Sequence, residues 1–248
     1  MKAISIGVQA ACMFDCTARV PLMIYAKLRG IDVKDPVDLA IVRPGRLIHE
    51  AFDRVATKLS AEGRLGDAKA VEAALNETIT SKVPELDAET VETHASFLAS
   101  AIGDAITTKP LALIAHERSL SVLISPQVKV SGRIDTIMGD SSGWVIVERK
   151  SGEPHEWHSQ QVRLYADILV AKEPTNRIAG LELWYSQYGK KKVQYTNGEI
   201  LKKLKDSAAQ GEMLDEKGAR NLVISRCNDC PRLDCGVKHL ARVLQTTM

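Results

Sequence analysis

Aromatic residues are scarce, at 4% of the 248-residue chain. That argues against a nucleic-acid platform built from many stacked rings. No apolar run approaches the roughly 20 residues of a membrane-spanning helix. Residues 3–14 resemble a leader only faintly, because Lys2 alone precedes them and no cleavage site follows; a secreted protein is not expected. An excess of one charge is missing as well. Lys and Arg number 33 against 31 Asp and Glu, a net charge of +2, so any anion-binding surface must be local. There is no Walker A loop, which argues against a helicase motor in this chain. There is no helix-turn-helix or zinc-finger reader, so sequence-specific duplex recognition is not expected. Cysteine is sparse, with five residues confined to the two ends of the chain.

What remains is ordinary globular composition, 45% apolar and 26% charged, long enough for one large domain or two small ones. Pro21 suits the first turn of a helix that runs to about Arg29. Pro44 likewise suits the start of a second helix to about Glu62, with Leu47, Ile48, Ala51, Phe52 and Val55 on one face. Two amphipathic helices follow, over about 67–81 and 88–107, separated by Pro84. The period then changes. Segments 116–124, 127–138 and 144–150 read as strands, the last two forming a hairpin around the Gly139–Gly143 turn. A helix over about 155–171, strands at 178–186 and 191–195, and a basic helix from Asn197 or Gly198 complete the pattern. The order favours a mixed α/β domain around one sheet.

The informative stretch joins Asp135 to Glu148-Arg149-Lys150. On a strand, Glu148 and Lys150 point to the same face. Asp135 lies on the preceding strand of the hairpin, so its carboxylate can reach the same end of the sheet. Two carboxylates beside a lysine suit a hard divalent cation, Mg²⁺ or Mn²⁺. Such a site fits phosphodiester hydrolysis, because the cation activates water and polarises the phosphate. A lysine is protonated in water at neutral pH, so Lys150 takes an electrostatic role first. Gln161 and Tyr165, four apart on the next helix, project from one face towards the same chemistry. An E-x-K triplet alone carries almost no information, since solvated strands often hold one; the company of the other residues gives it weight.

These residues resemble the RecB-type branch of the PD-(D/E)xK nuclease superfamily. Gly132-Arg133-Ile134-Asp135 resembles its G-x-x-D strand, with Ile134 where the superfamily's name has proline. Glu148-Arg149-Lys150 resembles the E-x-K strand. Gln161-Val162-Arg163-Leu164-Tyr165 resembles the Q-x-x-x-Y helix, and Gly45 to His49 resembles the G-x-x-x-H helix. The resemblance implies that His49, Asp135 and Glu148 hold the metal, and that Lys150, Glu148, Asp135, Gln161 and Tyr165 form the catalytic set. The other histidines, His94, His116, His155, His158 and His239, read as structural or surface residues. Glu117 opens a strand near the site, and a supporting role for it is given little weight.

Cys227, Cys230 and Cys235 lie within nine residues, a metal-ligand spacing that suits a reducing compartment such as the cytoplasm. A fourth thiolate must come from Cys12 or Cys16, and four sulfurs allow zinc or an iron–sulfur cluster. Among RecB-like nucleases, a cysteine before the core and three after it mark the iron–sulfur group. The compact build without a helicase resembles the CRISPR-associated exonuclease family four (Cas four). There the first cysteine precedes Pro-Arg; here Cys16-Thr17-Ala18-Arg19 keeps the arginine one place later, which favours Cys16 over Cys12. A 4Fe-4S cluster is favoured over 2Fe-2S. Tying residue 16 to residue 227 removes unfolded-state entropy worth on the order of 5 kcal/mol.

The resemblance therefore implies a RecB-like core, a mixed central sheet flanked by helices. An N-terminal segment over 1–35 supplies one cysteine. The nuclease domain spans 36–200 with a helical lobe at about 63–110, and a C-terminal helix and cysteine segment spans 201–248. The implied activity is a metal-dependent exonuclease, 5′→3′ on single-stranded DNA, that trims prespacers before integration by the Cas one–Cas two complex. Lys190, Lys191, Lys192, Lys202, Lys203, Lys205, Arg163 and Arg177 are candidates for phosphate contacts. No membrane partner is expected, and homo-oligomerisation is left open. Two alternatives stand beside this: a non-catalytic adaptor for DNA ends, and a RecB-like nuclease of another repair or defence pathway.

Overall fold

The structure, a computed structural model, describes residues 3–11, 18–31, 39–227 and 240. Its elements run β1 (Ile4–Gly7), α1 (Val8–Ala11), α2 (Arg19–Leu28), α3 (Leu39–Ala61), α4 (Ala68–Lys82), α5 (Ala88–Thr107), β2 (Ala112–Leu123), β3 (Val128–Asp140) and β4 (Gly143–Lys150). They continue with α6 (Glu156–Lys172), β5 (Ile178–Tyr185), β6 (Gly189–Val193), α7 (Glu199–Met213) and α8 (Glu216–Cys227). The protein has an α/β fold with a mixed sheet flanked by helices. The chain divides into two compact units, one of residues 1–37, 121–132 and 197–248, the other of 38–120 and 133–196.

In the first unit, β1 pairs in parallel with the start of β3, Ile4 opposite Val128 and Gly7 opposite Ser131. Helices α2 and α7 pack closely. A side chain at Gly211 would bring its Cβ within 2.7 Å of the Pro21 carbonyl oxygen and 2.8 Å of Ile24 Cβ, so only glycine admits this approach. Ile200, Leu201, Leu204 and Ala208 form the buried stripe of α7, the spacing of an amphipathic helix. At the end of α2, the Arg29 guanidinium lies 4.0 Å above the Tyr25 ring and donates to the Leu214 carbonyl at 2.9 Å.

The second unit holds the larger core. Helix α3 buries Ile48, Ala51, Phe52, Val55, Ala56 and Leu59, one stripe at 3.6-residue period. They pack with Val71, Leu75 and Ile79 of α4, with Leu98 and Ile102 of α5, and with Met138, Val147 and Trp184 of the sheet. Aspartates start α4 and α5. Asp67 accepts from Ala70 N at 3.1 Å and Asp87 from Thr90 N at 2.7 Å, caps worth about 1 kcal/mol each. In this unit β3 and β4 are antiparallel, β4 and β5 parallel, and β5 and β6 antiparallel, while β2 pairs with β3.

Four features depart from the sequence reading. Pro44 lies inside α3 and does not start it; the helix extends back to Leu39 although Pro44 has no N–H to give the Ala40 carbonyl. Residues 4–7 form a strand, held by a partner more than 120 residues away that no local pattern shows. Helix α8 was not expected, and β6 begins two residues early, at Gly189.

Candidate metal centre

The site grows from a fork between two strands. The antiparallel pairing of β3 with β4 ends at Thr136 opposite Val147, one residue before Asp135 and Glu148. β4 continues along β5 as far as Lys150 opposite Tyr185. Where a continuing ladder would take the Arg149 N–H, it donates instead to Asp135 Oδ2 at 2.8 Å. The carboxylate thus substitutes for a strand carbonyl and is fixed by backbone.

Beyond the fork, alternation sends Glu148 and Lys150 one way and Arg149 the other. Lys150 Nζ donates to Glu148 Oε1 at 2.8 Å and to Gln161 Oε1 at 2.9 Å. The two hydrogens of the Gln161 amide divide between Glu148 Oε1 at 2.8 Å and the Tyr165 hydroxyl at 3.1 Å. Gln161, held by Tyr165 one turn on along α6, therefore fixes the strand's carboxylate and ammonium in place. Arg149, 2% exposed, turns to α3. It donates to Asp53 Oδ1 at 2.7 Å and to the His49 carbonyl at 3.4 Å, with its guanidinium 4.3 Å from the Phe52 ring. That clamp positions the turn of α3 that carries His49.

His49, Glu117 and Asp135 present ligand atoms all within 4.8 Å of one another, and His49 Nδ1 is 3.5 Å from Asp135 Oδ2. Glu117 is a strand residue with a φ of +51°, a left-handed conformation that costs on the order of 1–3 kcal/mol outside glycine. Glu117 also contacts Arg133 and lies 3.8 Å from Arg149. Glu148 stands beside this group. Its Oε2 is buried without a hydrogen-bond partner.

The electrostatics match. Burial pushes Glu148 up to about 7, reinforced by the negative charge of Asp135 and opposed by Lys150. Burial also raises Glu117, with Asp53 and Asp135 adding to the effect, and it raises Asp53 against the pull of Arg149. Burial opposes ionisation of Asp135 too, but His49, Arg149 and Lys150 hold it well below the ordinary carboxylate range. Crowded carboxylates that repel one another, one with an orphaned buried oxygen, plus an imidazole, are the donor set of a divalent cation. The residues fit such an ion.

A profile of the PD-(D/E)XK nuclease superfamily matches residues 24–235. The chain belongs to that superfamily. Members of the PD-(D/E)XK superfamily are nucleases that hydrolyse phosphodiesters, and the His49, Glu117 and Asp135 group suits the divalent metal of a PD-(D/E)XK enzyme. A solved structure titled "Crystal structure of SSO0001" is similar over 87% of this chain and 94% of its own, at 13% identity and a TM-score of 0.33. No curated protein matches.

Of the residues expected at the PD-(D/E)XK site, His49 and Asp135 meet in one group, and Glu148, Lys150, Gln161 and Tyr165 form a hydrogen-bonded network next to it. Glu117 is the residue the sequence undervalued. Its lone signal is a carboxylate on the strand preceding the G-x-x-D strand, and its left-handed backbone breaks the alternation that would have aimed it. Among the histidines, His94 is 3% exposed, His116 meets Thr57 Oγ1 at 2.8 Å, and His158 is buried against the Tyr185 hydroxyl at 2.9 Å. Cys12, Cys16, Cys230, Cys235 and His239 lie outside the described residues, and Cys227 is the last residue of α8. Lys190 is held by Asp104 at 3.1 Å and Lys203 by Glu199 at 2.8 Å. Lys191 and Lys192 stand exposed on β6. No described helix is long and apolar enough to cross a membrane.

Proposed function

We propose that this protein is a Mg²⁺- or Mn²⁺-dependent DNA exonuclease, acting 5′→3′ on single strands, of the CRISPR-associated exonuclease family four. The observation that carries the nuclease reading is the fork, where His49, Glu117 and Asp135 converge and the Lys150 ammonium is held on Glu148. A divalent cation held by His49, Asp135, Glu148 and Glu117 would lower the pKa of a bound water and offset charge on the scissile phosphate. Hydrolysis joins the water oxygen to phosphorus and breaks the bond to the sugar oxygen, which leaves with a proton. Lys150 donates to the phosphate oxygens as their charge grows. Gln161 keeps Lys150 and Glu148 in register, and Tyr165 holds Gln161. The Asp53–Arg149 pair keeps His49 turned to Asp135.

The finer assignment rests on sequence. Cys16 before the core and Cys227, Cys230 and Cys235 after it form a four-thiolate set for an iron–sulfur cluster, 4Fe-4S by preference. With it comes a role in prespacer trimming ahead of the Cas one–Cas two integrase. Two measurements test these statements. Strands labelled at the 5′ or 3′ end, incubated with Mn²⁺, should lose nucleotides from the 5′ end, while a matching blunt duplex persists. Anaerobically purified protein should be brown, with iron and sulfide. Strands left intact contradict the nuclease; a colourless protein with stoichiometric zinc contradicts the cluster.

A further inference from the structure

The chain has three tryptophans, and they do different work. Trp184 is 1% exposed, with its indole N–H on Glu182 at 2.8 Å. Trp144 lies in the β3–β4 hairpin with the Arg118 guanidinium 5.4 Å from its ring. Trp157 is in the first turn of α6 and half-buried, at the edge of the metal centre. Its ring lies 5.3 Å from Lys150 Nζ. The His158 ring meets it at 4.1 Å and 71°, and His158 is itself fixed by the Tyr185 hydroxyl at 2.9 Å. The exposed His155 ring lies nearly parallel to it, 12° between planes and 6.2 Å between centroids. A large ring is thus held against the buried His158 while part of it faces solvent beside Lys150.

We infer that Trp157 is the stacking surface for one unpaired nucleobase of the strand being cut. This rests on the nuclease reading and names how that site selects its substrate. One nucleotide offers a phosphate and a base close together, which suits an ammonium and an indole side by side. A ring already held in place loses little freedom when a base stacks on it. In a duplex both faces of each internal base are covered, so only an unpaired base can take the indole. In a chain poor in aromatics, a single platform replaces a continuous stacking groove. It therefore confers a preference for single strands without a preference for sequence.

The test is binding without cleavage. Metal-free protein in EDTA is titrated with a 5′-phosphorylated deoxyoligonucleotide in which an abasic residue is walked through the four positions at each end. One position should stand out, where removing the base weakens binding roughly tenfold. Trp157→Ala should weaken binding of the intact strand by a similar factor and abolish the effect of the abasic residue. Trp157→Phe should keep most of both. 2-Aminopurine at that position should be quenched by the parent protein but not by Trp157→Ala. Quenching by the parent protein tests the stacking even where the alanine variant does not fold. A flat abasic scan, an equal abasic effect in parent and Trp157→Ala, absent quenching or absent binding each overturns the inference. Cleavage with Mn²⁺ alongside a flat scan overturns the stacking alone; a position-dependent scan without cleavage overturns the nuclease reading alone.

Discussion

At the residue scale, each member of the centre has a separable task. Lys150 contacts Glu148 and Gln161 and is not among the cation's ligands. Lys150→Ala should therefore lower kcat roughly 10²–10³-fold while Mn²⁺ affinity, measured by calorimetry, does not weaken. Glu117→Gln should do the reverse at the binding step, weakening Mn²⁺ about tenfold or more. Unchanged affinity would remove Glu117 from the ligand set. Glu148, pushed up to about 7 by burial and by Asp135, retains its proton in much of the metal-free protein below neutrality. A cation must displace that proton, so affinity falls as pH drops below about 7, by up to tenfold per pH unit for one proton. Calorimetry at pH 6 in buffers of different ionisation enthalpy should report proton release; pH-independent binding between 6 and 8 would contradict it.

At the scale of elements, the β3–β4 fork and the helices α3 and α6 do the positioning. Arg149 is 2% exposed and bridges β4 to Asp53 and the His49 carbonyl. Arg149→Met should cost roughly 3–5 kcal/mol, because it leaves buried carboxylate charge unpaired, and should weaken Mn²⁺ by releasing His49. A variant with an unchanged melting temperature would show that the clamp is unimportant. Much of this scaffold was legible in the sequence. The amphipathic period announces α4 and α5, and the Gly139–Gly143 turn announces the hairpin, because helical periods and turns act over a few residues. What escaped depends on distance. The four residues of β1 become a strand only against Val128–Ser131. The approach of α2 to α7 shows only in the space denied to a side chain at Gly211. Glu117 reaches the site through a backbone conformation that no pattern of alternation predicts.

At the scale of the whole molecule, the superfamily match over residues 24–235 takes in segments of both compact units, although all the described residues of the centre belong to the second. Balanced charge leaves global stability to specific buried groups. Burial, with Lys150, His155 and Lys191 nearby, lowers His158 to about 3 from an ordinary 6.5. Between those values the unfolded chain binds the proton and the folded protein does not. The share of stability that His158 contributes is therefore complete above about pH 6.5 and declines on acidification, by at most about 1.4 kcal/mol per pH unit, while the raised Glu148 acts in the opposite sense over the same range. Urea unfolding from pH 7 to 5 should show the parent losing stability relative to His158→Gln as the pH falls; a difference that does not change with pH would contradict this. Whether these side chains form one metal centre comes down to a single point in space. Anomalous scattering from crystals of the protein grown with Mn²⁺ should give a peak within ligand distance of the side chains of His49, Glu117, Asp135 and Glu148. A peak elsewhere, or none there at saturating Mn²⁺, would contradict the account.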